Sequence, residues 1–287
     1  MLKDLWFTLK QTFWAWNDHE APRLGAALSF YTMLSIAPLV ILVIAIASLV
    51  FGHSAAHHEI IRQVQGIMGT EGAKAVETVI DHGKKPTGVF ASLIGLITLL
   101  VGASGAFSEL QSALNKIWNV QPKDGSGVVS LIKSRLFSFG MVLAVGFLLL
   151  VSLVITAGLA VLGRFFGEIL PMPELLMHTI NFVVSFAGIA ALFALIFKYV
   201  PEASIEWKDV WEGAIATALL FTIGKSLIGL YLGKAAVGSA YGAAGSLIVV
   251  IVWIYYSALI FFFGAEFAHV RATERRGARA GKASPEH

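Results

Sequence analysis

Six long apolar runs set the hydrophobic pattern of this chain. Lys225 is the one Asp, Glu, Lys or Arg residue within these runs, which are Leu24–Gly52, Pro86–Ser108, Leu136–Gly163, Leu175–Phe197, Gly213–Gly233 and Ala235–Ala265. An α-helix rises about 1.5 Å per residue, so each run is long enough to cross a bilayer core of about 30 Å. The pattern therefore predicts an all-α fold, a polytopic membrane protein with six transmembrane helices.

An amphipathic helix is expected ahead of the first run. Its apolar positions recur at the spacing of one helical face, at Leu2, Leu5, Trp6, Leu9, Phe13 and Trp16. Such a helix would lie on the inner leaflet or pack against cytoplasmic loops, and the pattern fits both arrangements. We assign residues 1–20 to this cytoplasmic helix and residues 21–270 to the six-helix transmembrane domain.

Two further segments lie outside the apolar runs. The first outer loop, residues 53–85, has apolar positions at helical spacing on both sides of Gly69–Gly72, which predicts two short amphipathic helices with a break between them. Residues 271–287 are basic and rich in Gly and Ala, which predicts a disordered cytoplasmic tail.

Composition and charge agree with the membrane assignment. Hydrophobic residues make up 57% of the chain and charged residues 14%, against roughly 25% charged in a typical soluble protein. Most of the 21 Lys and Arg residues fall on the side that holds both termini, and the positive-inside rule makes that side cytoplasmic. Anionic headgroups explain this basic excess, so membrane lipids rather than nucleic acid are the expected partners.

The first run carries a polar face around a proline. Pro38 removes a backbone donor and crowds the carbonyl of Leu34, so a kink is expected. Tyr31, Thr32 and Ser35 precede it on one helical face. The second run has a face of glycines, Gly95, Gly102 and Gly105. In one interpretation, the hydroxyls line a substrate cavity shared with this glycine face. In the other, the kink is structural, and its free carbonyl is satisfied by Ser35 or by a neighbouring helix.

Ionisable residues inside or beside the runs are the other candidates. Glu109 ends the glycine face, and Glu266 lies three helical turns after Tyr255 on one face. Each acid would serve as an ion ligand or proton relay, or would pair at the interface with Lys116, Arg135 or Arg271. Lys225 would snorkel to the outer interface or bind an anionic group.

Metal and cofactor chemistry find little support in the sequence. The chain has no cysteine, and His53, His57 and His58 lack the second spaced ligand pair of a metal motif. We therefore predict neither a metal site nor a cofactor. Gly238, Gly242 and Ser246 form a ridge of small residues that is typical of tight helix packing, within one chain or between copies in a homo-oligomer.

Four stretches in order resemble those of the YihY/BrkB family of bacterial inner-membrane proteins. They are Gly25–Pro38; Phe107–Trp118; Tyr199–Pro201 with Trp207–Ala214; and Tyr241–Ser246 with Trp253–Tyr256 and Gly264–Glu266. The resemblance implies six helices, an inner-membrane location and cytoplasmic termini, with no agreed catalytic residues. The polar positions that match the family's recurring ones are Tyr31, Ser35, Pro38, Glu109, Asn115, Pro201, Glu212, Tyr255 and Glu266.

Transport is the function that these features favour, with a lipid or other amphiphile as the first choice of substrate and a small ion as the second. A membrane scaffold or envelope assembly factor is the alternative, with the amphipathic helix and the basic tail as docking elements. The family's old label as a ribonuclease is disfavoured, because phosphodiester cleavage by metal ions needs clustered ligands that the short cytoplasmic loops lack. We therefore predict a protein that is not an enzyme.

Overall fold

The computed structural model describes residues 2–83, 89–120, 174–234 and 245–283. Every regular element in these ranges is an α-helix, which confirms the all-α prediction for this part of the chain. In chain order the helices are α1 (Leu2–Asp18), α2 (Ala21–Phe51), α3 (His53–Gly83), α4 (Val89–Ile117), α5 (Glu174–Tyr199), α6 (Trp207–Lys234) and α7 (Gly245–Ala283).

The helices follow the predicted apolar runs closely. α2, α4, α5 and α6 each overlap the run expected at that place, and α7 overlaps the second half of the last one. The run Leu136–Gly163 lies outside the described residues, as do Gly238 and Gly242. The prediction of a disordered tail is wrong for residues 271–283, because α7 continues through them to Ala283.

Two groups of buried apolar side chains form the core, one towards each end of the helices. The first joins the start of α2, the ends of α4 and α5, the start of α6 and the second half of α7, and includes Ala21, Leu114, Phe197, Val210 and Phe262. The second joins the later part of α2 to α3, the end of α6 and the start of α7, and includes Ile44, Met68, Ile228 and Val250.

The first helix packs on α7 through its polar face. Thr8 and Thr12 are buried, and the Thr8 hydroxyl donates to the Glu274 carboxylate at 3.0 Å. The Trp16 indole N–H donates to the Leu259 carbonyl at 3.3 Å. The large apolar side chains of α1 face outward, among them Leu5, Trp6, Phe7, Phe13 and Trp14. This arrangement leaves an apolar outer surface of the kind that suits a membrane interface.

The predicted break at the middle of the outer segment is present. α3 leaves helical geometry at Gly69, where φ is 76°, a value that favours glycine. A break leaves the preceding carbonyls without helical donors. The Lys225 ammonium donates to one of them, the carbonyl of Gly66, at 3.4 Å. Lys225 thus ties α6 to α3 beside the break.

α6 and α7 are in close contact along a face of small residues. A side-chain carbon placed on Gly264 would lie 1.7 Å from the Thr217 hydroxyl oxygen, and one on Gly213 would lie 2.5 Å from the Cβ of Ala268. The Thr217 hydroxyl donates back to the Gly213 carbonyl at 2.7 Å, so it leaves no unpaired polar group in the contact. Small residues at such a contact let two backbones approach closely, the arrangement that stabilises helix pairs in membranes.

Two helices within the described residues are both long and apolar enough to cross a membrane, Trp207–Leu232 and Gly245–Gly277, and the apolar helix Ser185–Tyr199 is shorter. In its most apolar stretch, Trp207–Leu232 is only 28% buried inside the protein, and Gly245–Gly277 is only 39% buried. Most of their apolar surface therefore faces outward, which favours a lipid environment over the core of a soluble protein.

The α6–α7 contact predicts that Gly264→Ala lowers the free energy of unfolding by about 1–3 kcal/mol, because the added methyl group must displace Thr217 or part the helices. The measurement is thermal unfolding in detergent micelles. Gly188→Ala on α5 is the matched control, since a carbon there meets nothing within 4 Å and alanine favours a helix over glycine. Equal melting temperatures for the two variants would show that α6 and α7 do not pack this closely.

Candidate functional site

The hydroxyl face of α2 lies directly against the glycine face of α4. A side-chain carbon on Gly102 would lie 3.0 Å from the Cβ of Ser35, and one on Gly105 would lie 2.4 Å from the Tyr31 ring. Ser35 is buried, and its hydroxyl donates to the Thr32 carbonyl at 3.0 Å. The two predicted faces therefore meet in close contact. We call this contact the α2–α4 seam.

Apolar side chains border the α2–α4 seam on both helices. Phe30 and Leu34 on α2 are 61% and 42% exposed, and Ile97 and Val101 on α4 are 51% and 59% exposed. The hydroxyls thus lie between two helices whose neighbouring residues face outward. Pro38 is inside α2, which continues to Phe51, and the predicted kink stays a prediction.

A second polar group surrounds Glu266 on α7, where the turn between α1 and α2 packs against that helix. The Glu266 side chain has no exposed surface, and its Oε1 lies 2.6 Å from Nδ1 of His19. His19 belongs to the turn between α1 and α2, and 20% of its side chain is exposed. The short turn at Asp18–Glu20 brings the imidazole over α7. Sequence reasoning placed Glu266 but missed His19, because nothing in the spacing of residues 19 and 266 links them.

Among the described residues, three buried polar atoms in this region have no hydrogen-bond partner. They are Oε2 of Glu266, Nδ1 of His269 and Nε1 of Trp118. His269 follows Glu266 by about one helical turn, on the same side of α7. Its ring meets the Trp118 ring edge to face, with centroids 5.1 Å apart. We call Glu266, His19, His269 and Trp118 the Glu266 cluster.

Charged residues surround the Glu266 cluster at the surface. The Lys116 ammonium at the end of α4 donates to the Glu20 carboxylate at 3.0 Å, and Arg23 lies 3.0 Å from the same oxygen. The Lys116 hydrogen bond, then the Arg23 charge, holds the pKa of Glu20 below its usual range. Nearby, the Asn115 side chain accepts a hydrogen bond from the backbone N–H of Glu202 at 2.8 Å.

The last turns of α7 are fixed to α6 by ion pairs. Arg275 donates to Asp209 and, at 2.6 Å, to Glu212. Arg271 donates to Glu212 and Glu274, both at 3.3 Å. Asp209 is almost fully buried, so its pairing with Arg275 satisfies a charge that water cannot reach. These pairs hold the turn of α7 from Arg271 to Arg275 against α6.

The remaining predicted residues lie apart from the Glu266 cluster. Glu109 is half-buried on α4 and has no ion-pair partner among the described residues. Tyr255 packs close to Gly25 of α2, and Lys225 lies beside Gly66 as described above. Two of the predicted partners of the acids are engaged elsewhere, since Lys116 pairs with Glu20 and Arg271 pairs with Glu212 and Glu274; the third, Arg135, lies outside the described residues.

The histidines of α3 do not assemble a metal site with other residues. The rings of His57 and His58 meet edge to face with centroids 6.0 Å apart, and Nε2 of His57 is buried without a partner. In the part of the chain that the structure describes, no three His, Asp or Glu side chains converge as metal ligands would.

Comparison with known proteins settles the family. A family model described as "Virulence factor BrkB" matches residues 12–287. The chain belongs to the BrkB family. This confirms the resemblance carried by the four sequence stretches, and it makes the chain a membrane protein of a family that has no enzymatic name.

Several similar proteins are named "UPF0761 membrane protein". One from Verminephrobacter eiseniae is 29% identical over 272 residues, which cover 90% of this chain and 60% of the relative. One from Pseudomonas aeruginosa is 28% identical, covering 86% of this chain and 58% of the relative. One from Mannheimia succiniciproducens is 25% identical, covering 88% and 85%. The chain thus spans about 60% of the length of the first two relatives. No solved structure matches the chain.

The ion pairs between α6 and α7 predict that Arg275→Gln lowers the free energy of unfolding by about 1–3 kcal/mol, because it leaves the Asp209 carboxylate buried without its cation. Chemical or thermal unfolding in detergent measures the loss. Arg62→Gln is the control: Arg62 pairs with Glu59 at an exposed site, with 63% of its side chain exposed, and such pairs contribute less than about 1 kcal/mol. Equal losses in the two variants would contradict the buried role of Arg275.

Proposed function

We propose that this BrkB-family protein is a six-span transporter of the bacterial inner membrane, and that it moves a lipid or another amphiphile. The observation that carries the proposal is Glu266, a carboxylate with no exposed side-chain surface in an apolar helix long enough to cross a membrane. A buried ionisable residue in such a helix is costly, and such residues commonly mark a transport pathway or a proton relay.

The chemistry around Glu266 supports a functional reading over a structural one. A buried carboxylate that served only stability would be expected to pair with a fixed cation and to satisfy both oxygens. Here the partner of Oε1 is the imidazole of His19 and not a guanidinium or ammonium group, and Oε2 has no partner among the described residues. By contrast, Asp209 shows the structural case, in which a nearly buried carboxylate is held by Arg275.

The arrangement of the helix ends supports the six-span topology. The segments predicted to be cytoplasmic contact one another at one end of the bundle: Lys116 of α4 binds Glu20 ahead of α2, Asn115 of α4 binds the chain between α5 and α6, and Thr8 of α1 binds Glu274 of α7. At the other end, α3 packs against α2, α6 and α7. Alternate crossing of a bilayer produces this segregation.

The α2–α4 seam supports an amphiphile as the substrate. It places the Tyr31 ring against Gly105 and the Cβ of Ser35 against Gly102, while apolar side chains on both helices face outward next to it. A polar headgroup moving along parted helices would meet the hydroxyls, and its acyl chains would stay in the bilayer. A small ion, the second choice, would need no such apolar border.

One observation favours a scaffold or assembly role as the second candidate. The C-terminal part of α7 leaves the core as a basic helix to Ala283, and the α1 aromatic side chains face outward beside it. Together they give the inner end a large surface that a partner protein could contact.

The topology predicts that single cysteines at opposite ends react on opposite sides of the membrane. The chain has no cysteine of its own, so Lys74→Cys and Glu202→Cys, both at exposed positions, can be compared without background. In intact spheroplasts, a membrane-impermeant maleimide should label residue 74 only, and permeabilised cells should show labelling at both. Labelling of residue 202 in intact spheroplasts would refute the assignment.

The transport proposal predicts protein-dependent movement of headgroup-labelled lipid in liposomes reconstituted with the purified protein. Glu266→Gln preserves the shape of the side chain and should abolish the movement, because it removes the ionisable group. Glu202→Gln is the matched control, an exposed carboxylate at the same end of the bundle whose backbone N–H, not its side chain, binds Asn115, and it should keep wild-type movement.

The other outcomes decide between the candidates. Movement of an imposed ion gradient without lipid movement would select the small-ion alternative. If neither moves, the transport proposal fails. A cellular envelope defect caused by deleting residues 276–287, which spares Arg271 and Arg275, together with full function of Glu266→Gln, would instead select the scaffold.

A further inference from the structure

The Glu266 cluster brings together a carboxylate, two imidazoles and an indole, of which the Glu266 side chain is fully buried and the His19 side chain is partly exposed. Glu266 contributes an oxygen without a partner, His269 a ring nitrogen without a partner, and Trp118 an indole N–H without an acceptor. His19 connects the buried carboxylate to the surface, with its Nδ1 on Glu266 and 20% of its side chain exposed.

We propose that Glu266 and His19 form a proton-binding site, in which His19 passes protons between the cytoplasmic surface and the buried carboxylate. Each step conserves protons. A hydronium ion at the surface gives its proton to Nε2 of His19 and leaves as water. The Nδ1–H bond of His19 then breaks, and that proton bonds to Oε1 of Glu266. The imidazole is left neutral with its proton on Nε2, and the carboxylate becomes a neutral carboxylic acid.

The geometry explains why both protonation states of Glu266 are accessible. As a carboxylate, Glu266 accepts from His19, and it also feels the positive charge of Lys116. As a carboxylic acid it carries the proton on Oε1, and that O–H donates to Nδ1 of His19, which has just lost its own proton and lies 2.6 Å away. A carboxylate held in its charged form would instead pair with a fixed cation, as Asp209 pairs with Arg275.

The charges that face the cluster favour a proton over a metal cation. Glu266 is faced by His19 and Asp18 from the α1–α2 turn and by Lys116 from α4. His269 is faced by His19 and by Arg276 of its own helix. Lys116 and Arg276 would repel a bound cation, whereas a proton disappears into a neutral carboxyl group. The described residues also hold no group of three metal-ligating acids and histidines.

The inference rests on the proposed transport function in one respect, that the bound proton would drive movement of the substrate. Proton binding itself is independent of transport, so the two can be tested separately on the same purified protein.

Infrared difference spectroscopy of the wild-type protein in lipid, between acidic and alkaline buffer, tests proton binding. The expected result is a carbonyl band of a buried carboxylic acid that grows on acidification, is lost in Glu266→Gln and is retained in Glu202→Gln. A band unaffected by Glu266→Gln, or a Glu266 signal that does not respond to pH but responds to sodium or divalent cations, would overturn the proposal.

His19→Gln keeps the test decisive if Glu266→Gln does not fold. Removing the imidazole that binds Oε1 should displace the pH at which the carbonyl band appears, and it should slow the appearance of the band after a rapid pH change, because the route to the surface is lost. A band unchanged in both position and rate would exclude the relay through His19.

Liposomes with an imposed pH gradient then test coupling. Lipid movement that follows the gradient in the wild type and is lost in Glu266→Gln would support both proposals. Lipid movement that ignores the gradient would leave the transport function standing and overturn proton coupling. A pH-dependent carboxyl band without any substrate movement would support proton binding and contradict the transport proposal.

Discussion

The close contact between α6 and α7 is the constraint on which the inner end of this protein depends. Gly213 and Gly264 leave no room for a side chain between the helices, and Thr217 fills the remaining space while satisfying its own hydroxyl. Once the two backbones meet there, the register of α7 is fixed. Arg271 and Arg275 then face Glu212 and Asp209, while Glu266 reaches His19.

Two buried carboxylates in this bundle, Asp209 and Glu266, differ in the kind of partner that binds them. Asp209 is neutralised by a guanidinium that stays charged at every relevant pH, so its cost is met by a fixed partner. Glu266 is also buried, but its partner is an imidazole. A fixed cation therefore offsets the burial penalty of Asp209, whereas the histidine partner of Glu266 is the observation on which the proposed proton site rests.

The first helix is amphipathic, but it packs its polar face, not its apolar face, against the protein. In water its apolar face would pack inward. Here Thr8 and Thr12 pack against α7, and Trp6 and Trp14 face outward. The exchange is favourable because the hydroxyls find Glu274 and backbone partners inside, while indole rings are stable at the lipid interface. The pattern identified the two faces of α1 and left open which one the protein would bury.

The sequence by itself determined the class, the helices and the faces that could meet. Run length predicted α2, α4, α5 and α6, glycine at position 69 predicted the break in α3, and the glycines of α4 marked a surface that another helix could approach. These features depend on residues near one another in sequence. The composition of residues 271–283 suggested disorder, whereas α7 continues through them. The acids that pair with Arg271 and Arg275 include Glu212 and Asp209 of α6, which the local sequence does not reveal. His19, Trp118 and His269 could not be assigned to Glu266 for the same reason: their proximity depends on the α1–α2 turn, the end of α4 and the register of α7. Only the tertiary structure decided those contacts, since helical periodicity fixes which side of a helix a residue occupies and carries no information about the partner it meets.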